Sequence, residues 1–407
     1  MTDTTEAELV NPDTGLAAID EHARELIFGS RASAAPRTII NLHALQAVPA
    51  SLLNRDNLGA QKTLTHGGVT RVRVSSQSWK RAIRTWIREQ AITGGAFAAR
   101  TNRWPAATAE ILHASHGVEL DVATAKTLAV FKKLGFKTTD RGTTSASIFA
   151  HQDTAVRVAE AIAPRLDEIQ EVPAEKQGEK STLHVPAEVI DAALAALSVS
   201  NAVDLALFGR MLAEQPVGGR IDGAVSVNHA TSVDPAAIVE DFFTAVDDLT
   251  PEGEAVSGNL GVSDLSAPVF YRTACIDVEQ LRRNLSGAND PDTLTAAAVS
   301  VAIEAFVNAV PSAKQRSSNV GTRPSLLVAT VGGERLTADN AFTAPIRGEN
   351  VIADATSALF AVLQGHNRFG AQQKVISLAG DPVAEAAIPA GVDTAENLGA
   401  LIAAVTK

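Results

Sequence analysis

The chain has 407 residues and a mass of 42.4 kDa, enough for two or three domains and for a core that needs no disulfide or metal staple. Its composition, 45% hydrophobic and 20% charged, is that of a globular protein, and the lone cysteine, Cys275, excludes an intrachain disulfide and a cysteine-rich zinc site. The net charge of −11 argues against nucleic acid as a partner of the whole surface, yet 54–88 carries eight basic residues (Arg55, Lys62, Arg71, Arg73, Lys80, Arg81, Arg84, Arg88) against the single acid Asp56.

In chain order, residues 1–35 read as an extension and linker, with a helix capped by Asp13 and running to about Phe28. This start is acidic and polar, unlike a signal peptide, and the most apolar window, 293–310, is broken by Glu304 and Asn308. A cytoplasmic protein without a membrane span is expected. A strand follows over 38–48, where Ile40, Leu42 and Ala44 alternate with Asn41 and His43, so one apolar and one polar face are expected. Residues 49–68 read as a loop, and Val72 and Val74 alternate with Arg71 and Arg73 in a short strand.

A helix is predicted over 77–91, ended by Gly94-Gly95. Trp79, Ala82, Ile83, Trp86 and Ile87 form its apolar stripe, with Lys80, Arg84 and Arg88 beside it. Residues 96–200 are alanine-rich and read as mostly helical, interrupted by the polar stretch 137–147 and the charged loop 171–184. A helix over 204–213, a turn over 216–222 and a helical pattern over 233–248 come next. A glycine- and serine-rich stretch over 250–264 precedes a strand over 268–278, a helix over 294–310, a polar basic segment over 312–322 and a strand over 325–331. This order implies an α+β fold, a sheet covered on one face by helices.

There is no phosphate-binding Walker loop, zinc-protease HExxH, GxSxG elbow or dinucleotide glycine fingerprint. His113 and His116 read as two surface histidines, Asp247-Asp248 as a solvated pair and Cys275 as a small core residue. The positive signal is the loop Asn54-Arg55-Asp56, Lys62 and the run 71–84. There Ser75, Ser76 and Gln77 lead into a helix whose first turns carry Lys80, Arg81 and Arg84. Open N–H groups, hydroxyls and cations at a helix start suit phosphate; a solvated basic face is the bland alternative.

Asn41-Leu42-His43, Asn54-Arg55-Asp56, Gly67-Gly68-Val69 and RVSSQSWKRAIR at 73–84 together resemble the backbone subunit of the type I-E CRISPR Cascade complex, in the RAMP superfamily. LALFGRMLA at 205–213, DFFTAVDDL at 241–249, FYR at 270–272 and PSAKQ at 311–315 extend the resemblance over about 37–330. Residues beyond about 340 match weakly. The resemblance implies an RRM-like (ferredoxin-like) palm in 36–91 and 202–407, a helical fingers insertion in 92–201, and a thumb loop in about 216–264.

It further implies several copies strung along a guide RNA, each gripping backbone and displacing bases with its thumb, beside other Cascade subunits and facing target DNA. Sequence reading is then left to base pairing. Carried over by position, Arg55, Lys62, Ser75, Ser76, Gln77, Lys80, Arg81 and Arg84 are the expected RNA contacts, with Lys314, Gln315 and Arg316 as a second patch. At 4% aromatic residues, base stacking is not the expected main source of affinity. No enzyme activity and no cofactor are expected. The alternative is a metal-dependent RAMP ribonuclease cutting target RNA, with Asp56 as its one candidate carboxylate.

Overall fold

In a computed structural model of the protein the described residues are 37–90, 97–173, 182–198, 202–210, 220–246 and 257–406. The expected N-terminal helix, Gly94-Gly95 and Asp247-Asp248 lie outside them, as does most of the turn at 216–222. The chain divides into two compact units.

The first unit takes in the described residues up to Ile87, Val225–Glu279 and the chain from Val299 onward. Its strands are β1 (Ile39–Ala47), β2 (Thr63–His66), β3 (Val69–Val74), β8 (Val225–Val227), β9 (Ala230–Ser232) and β12 (Val269–Asp277), then β13 (Leu326–Gly332), β14 (Lys374–Ala379) and β15 (Asp393–Thr394). They form one nine-stranded sheet in the order β15-β14-β13-β1-β12-β9-β3-β2, with β8 also on β12. Every pairing is antiparallel except β14 with β15. β1 is central, Leu42 lying opposite Ala274 on one side and Ala329 on the other.

Helices cover both faces of this sheet, not one. On one face Arg272 of β12 reaches Trp79 of the helix Ser76–Gln90 and the Phe306 carbonyl of the helix Pro291–Asn308. On the other, Leu45, Tyr271 and Val328 pack with Phe342 and with Leu359, Phe360 and Leu363 of the helix Val351–His366. The Asn41–His43 face expected to be polar is therefore buried, its polar groups met by the segment 334–338. Asn41 donates to the Glu334 carbonyl and accepts from the Leu336 amide. The Tyr271 hydroxyl accepts from the Ala338 amide and shares a hydrogen bond with His43 Nδ1, 2.7 Å away. These partners for Asn41 and for His43 Nδ1 are what let a half-polar strand sit inside, although His43 Nε2 is buried without a partner among the described residues. Burial pushes the His43 imidazole down to about 3, so it is neutral.

Within the stretch 233–248 expected to be helical, Val239–Val246 forms a strand instead. β10 (Val239–Val246) pairs antiparallel with β11 (Ser257–Leu265), Phe242 opposite Val262 and Phe243 opposite Gly261. Cross-strand pairing overrides a local pattern that fits either period. β2 likewise lies inside the expected loop, joined to β3 by a tight turn at Gly67-Gly68.

The second unit, Arg88–Ala224 with Gln280–Ala298, carries the alanine-rich helices Trp104–His116, Leu120–Lys133, Thr154–Ile162 and Ala187–Leu197. Leu112, Val130, Phe131, Ile148, Val158 and Val189 make its core. Two-stranded antiparallel sheets, β4 (Ala98–Thr101) with β5 (Ile148–His151) and β6 (Gln170–Val172) with β7 (Thr182–His184), lie among the helices. Among the described residues no helix is long and apolar enough to cross a membrane.

Candidate nucleic-acid interface

The helix Ser76–Gln90 buries Trp79, Ile83 and Ile87, as the periodicity predicts. Beneath it the Arg272 guanidinium lies 3.7 Å from the Trp79 ring centroid and 4.8 Å from that of Phe306. Arg272 donates to Gln46 Oε1 and to the Phe306 carbonyl, and Gln46 in turn donates to the Thr322 carbonyl. Burial lowers the guanidinium to about 9. A buried cation held by π faces and neutral acceptors thus fixes the helix that displays the basic stripe.

On the outer side Gln77 and Arg81 are exposed, and Lys80 and Arg84 are half-buried. Burial lowers the Lys80 ammonium. The helix start is less open than its sequence suggests. The Ser75 hydroxyl, expected to meet RNA, is buried and caps the Ser78 amide, while the Ser75 carbonyl takes the Trp79 amide. The Ser76 amide donates to His229 Nδ1 at 3.0 Å. Only the Gln77 amide of this first turn has no such partner among the described residues.

Two residues outside the expected set join here. Arg73 Nη1 lies 3.4 Å from the same His229 nitrogen, and Arg73 and Lys62 both lower the imidazole's pKa, after the larger effect of desolvation. His229 is 153 residues from Ser76 in sequence, and no motif around it signals the contact. Arg71, counted in the basic run, is instead buried and donates to the carbonyls of Ser232, Val233 and Phe342.

The loop 54–62 is tied to this helix, the Asn54 side chain accepting from the Ser75 amide at 2.9 Å. Asp56 Oδ1 accepts from the Leu58 and Ala60 amides, so this carboxylate builds a turn. Arg55 is exposed, and Leu58 stands at the turn's tip, 86% exposed. Gln61 joins the loop to the β10–β11 hairpin, its amide donating to Asp264 Oδ2 at 2.6 Å. The hairpin also exposes Val239 (66%), at its base, and Phe242 (60%) and Val262 (59%) further out. An apolar hollow of about 390 Å³ lies at its base, lined by Val239, Leu265, Ala267 and Pro268.

The second expected patch meets the same hairpin. The Lys314 ammonium sits 5.8 Å from the Phe243 ring centroid. Lys314 has a φ of 51° and Asn319 a φ of 45°, left-handed backbone bracketing the short turn Gln315–Ser318. Gln315 and Arg316 are exposed on it. The hairpin thus touches the loop 54–62 and Lys314, and the loop in turn ties it to the helix start at Ser75, a role that composition concealed because the aromatic count is small. Among the described residues no group of three or more His, Cys, Asp or Glu side chains could hold a metal ion.

A chain of a solved "CRISPR RNA-guided surveillance complex, pre-nicking" superposes with a TM-score of 0.76 at 27% identity, over 90% of this chain and 99% of that one. A chain of a "CRISPR RNA-guided surveillance complex" shares the fold, with a TM-score of 0.64 at 24% identity over the same shares. No curated protein matches. The family model of the CT1975-like proteins matches residues 40–404, so the match includes the C-terminal region that motifs alone tied only weakly. The chain belongs to the CT1975-like protein family.

Proposed function

We propose that this protein is a non-catalytic, cytoplasmic scaffold of CRISPR defence, the backbone subunit of a type I-E Cascade complex. Copies polymerise along a guide RNA beside other subunits and present it to target DNA. The observation that carries this reading is the chain of contacts among three basic segments: a hairpin with an exposed aromatic pair meets 54–62 and Lys314, and 54–62 is bonded to the start of 73–84. The similar chain of a surveillance complex supports the setting.

The succession β1, helix, β9, β12, helix, β13, with β13-β1-β12-β9 across the sheet, supports an RRM-like palm. In an RRM the open sheet face stacks bases. Here both faces are covered, which moves RNA to the helix start, the loop and the hairpin. That favours gripping backbone over reading bases, as a guide whose sequence is read by pairing requires. We assign the β10–β11 hairpin as the thumb and the helical unit as the fingers. Val239, Phe242 and Val262 suit contact with a neighbouring copy and its displaced bases. Asp56, the one carboxylate of the ribonuclease alternative, already serves its own loop. The test is purification from the native host followed by end-labelling of bound nucleic acid. Short RNA of uniform length is expected; protein free of RNA would overturn the reading.

A further inference from the structure

We infer that His229 is a positioning residue for RNA binding. Its Nδ1 acts as a surrogate cap that holds the first turn of the helix Ser76–Gln90, and with it Gln77, Lys80 and Arg81, in register with Lys62 and Arg73. This rests on the RNA-binding reading above and extends it to a residue that no motif marks.

The geometry is specific about which nitrogen works. Nδ1 faces two N–H donors, the Ser76 amide at 3.0 Å and Arg73 Nη1 at 3.4 Å, so it is an acceptor and the proton resides on Nε2. The imidazole does what a capping Asp or Ser would do, but without the negative charge that would compete for the site's cations. The charged groups that act on it are Arg73, from β3, and Lys62, which leads into β2. Asp339, on the segment beside it, accepts from Asn228. Protonation of Nδ1 would abolish both hydrogen bonds and set a third cation against Arg73, Lys62 and the positive end of the helix.

The sign of the pH effect separates this role from a plain cationic contact. A histidine that touched phosphate as a cation would make RNA bind more tightly as pH falls. A capping Nδ1 makes RNA bind more weakly, because acid releases the helix start.

The experiment measures binding of a single-stranded RNA from pH 7.5 to 5.5 at fixed ionic strength, with the unfolding midpoint followed in parallel. It compares wild type with His229→Asn, whose Oδ1 stands near the place of Nδ1, His229→Gln, which mimics Nε2, and His229→Ala. At pH 7.5 loss of one cap predicts affinity about fivefold weaker in His229→Ala and His229→Gln, with His229→Asn near wild type. Wild-type affinity should fall on acidification, and His229→Asn should lose that dependence. Tighter binding at low pH in wild type, or rescue by Gln rather than Asn, would overturn the inference and leave RNA binding standing. Wild type that binds no RNA at any pH would overturn both.

Discussion

Trp79→Ala probes the foundation of the proposed interface. Trp79 is 1% exposed, and one of its faces carries the Arg272 guanidinium at 3.7 Å. Truncation leaves a cavity costing about 3–5 kcal/mol. It also strips a buried cation of one π partner, worth a further ~2 kcal/mol. The sum approaches half or more of the roughly 5–15 kcal/mol that holds a domain folded, so the variant should unfold at much lower urea and lose RNA with its structure. Trp79→Phe keeps an aromatic face for Arg272 and removes Nε1, which is buried without a partner among the described residues. It should cost only about 1 kcal/mol and bind RNA like wild type. Urea unfolding followed by tryptophan-independent circular dichroism, with RNA binding measured on the same samples, checks both. Trp79→Ala that loses RNA at an unchanged midpoint would make Trp79 a contact residue. Phe as damaging as Ala would refute the stacking argument.

Arg55→Ala with Arg81→Ala removes two exposed cations, so stability should hold within about 0.5 kcal/mol while the salt slope of RNA binding falls by about 1.4. An unchanged slope would mean that both are merely solvated. In Gly261→Ala the new Cβ would collide with the Phe243 ring, which must swing away and release Lys314. Loading on long RNA should become less cooperative at an unchanged melting temperature; wild-type cooperativity would show that the hairpin does not join copies. His43 is buried and neutral, its pKa lowered to about 3, so the stability it contributes is complete above the ordinary value near 6.5 and lost as pH falls toward 3. The loss is on the order of 4 kcal/mol. Urea midpoints from pH 7 to 4 should decline in wild type and decline less in His43→Gln, and equal slopes would refute the assignment.

Elements with strong periodicity were legible in the sequence: β1, β12, β13 and the helix with Trp79, Ile83 and Ile87 stand close to where alternation and helical spacing put them. The β10–β11 hairpin was not, because Val239–Val246 satisfies a helical as well as a strand pattern and only pairing with Ser257–Leu265 decides. The second covered face of the sheet was hidden for a related reason. Asn41 and His43 look like solvent residues until partners some 290 residues away (Glu334 and Leu336) and 228 away (Tyr271) are seen to meet Asn41 and His43 Nδ1. In the site, local charge located Arg55, Lys62 and the basic helix, but charge alone could not separate Arg71, which anchors backbone carbonyls, from Arg73, which faces His229. Serines at a helix start read equally as caps and as phosphate ligands, and the Ser75 hydroxyl is a cap.

The most direct test of the central claim is stoichiometry against RNA length. Native mass spectrometry of the full chain on single-stranded RNAs of increasing length and unrelated sequence should show copies adding one at a time at a constant nucleotide increment, whatever the sequence. A single copy bound at every length, or a bound number that follows sequence rather than length, would contradict the account.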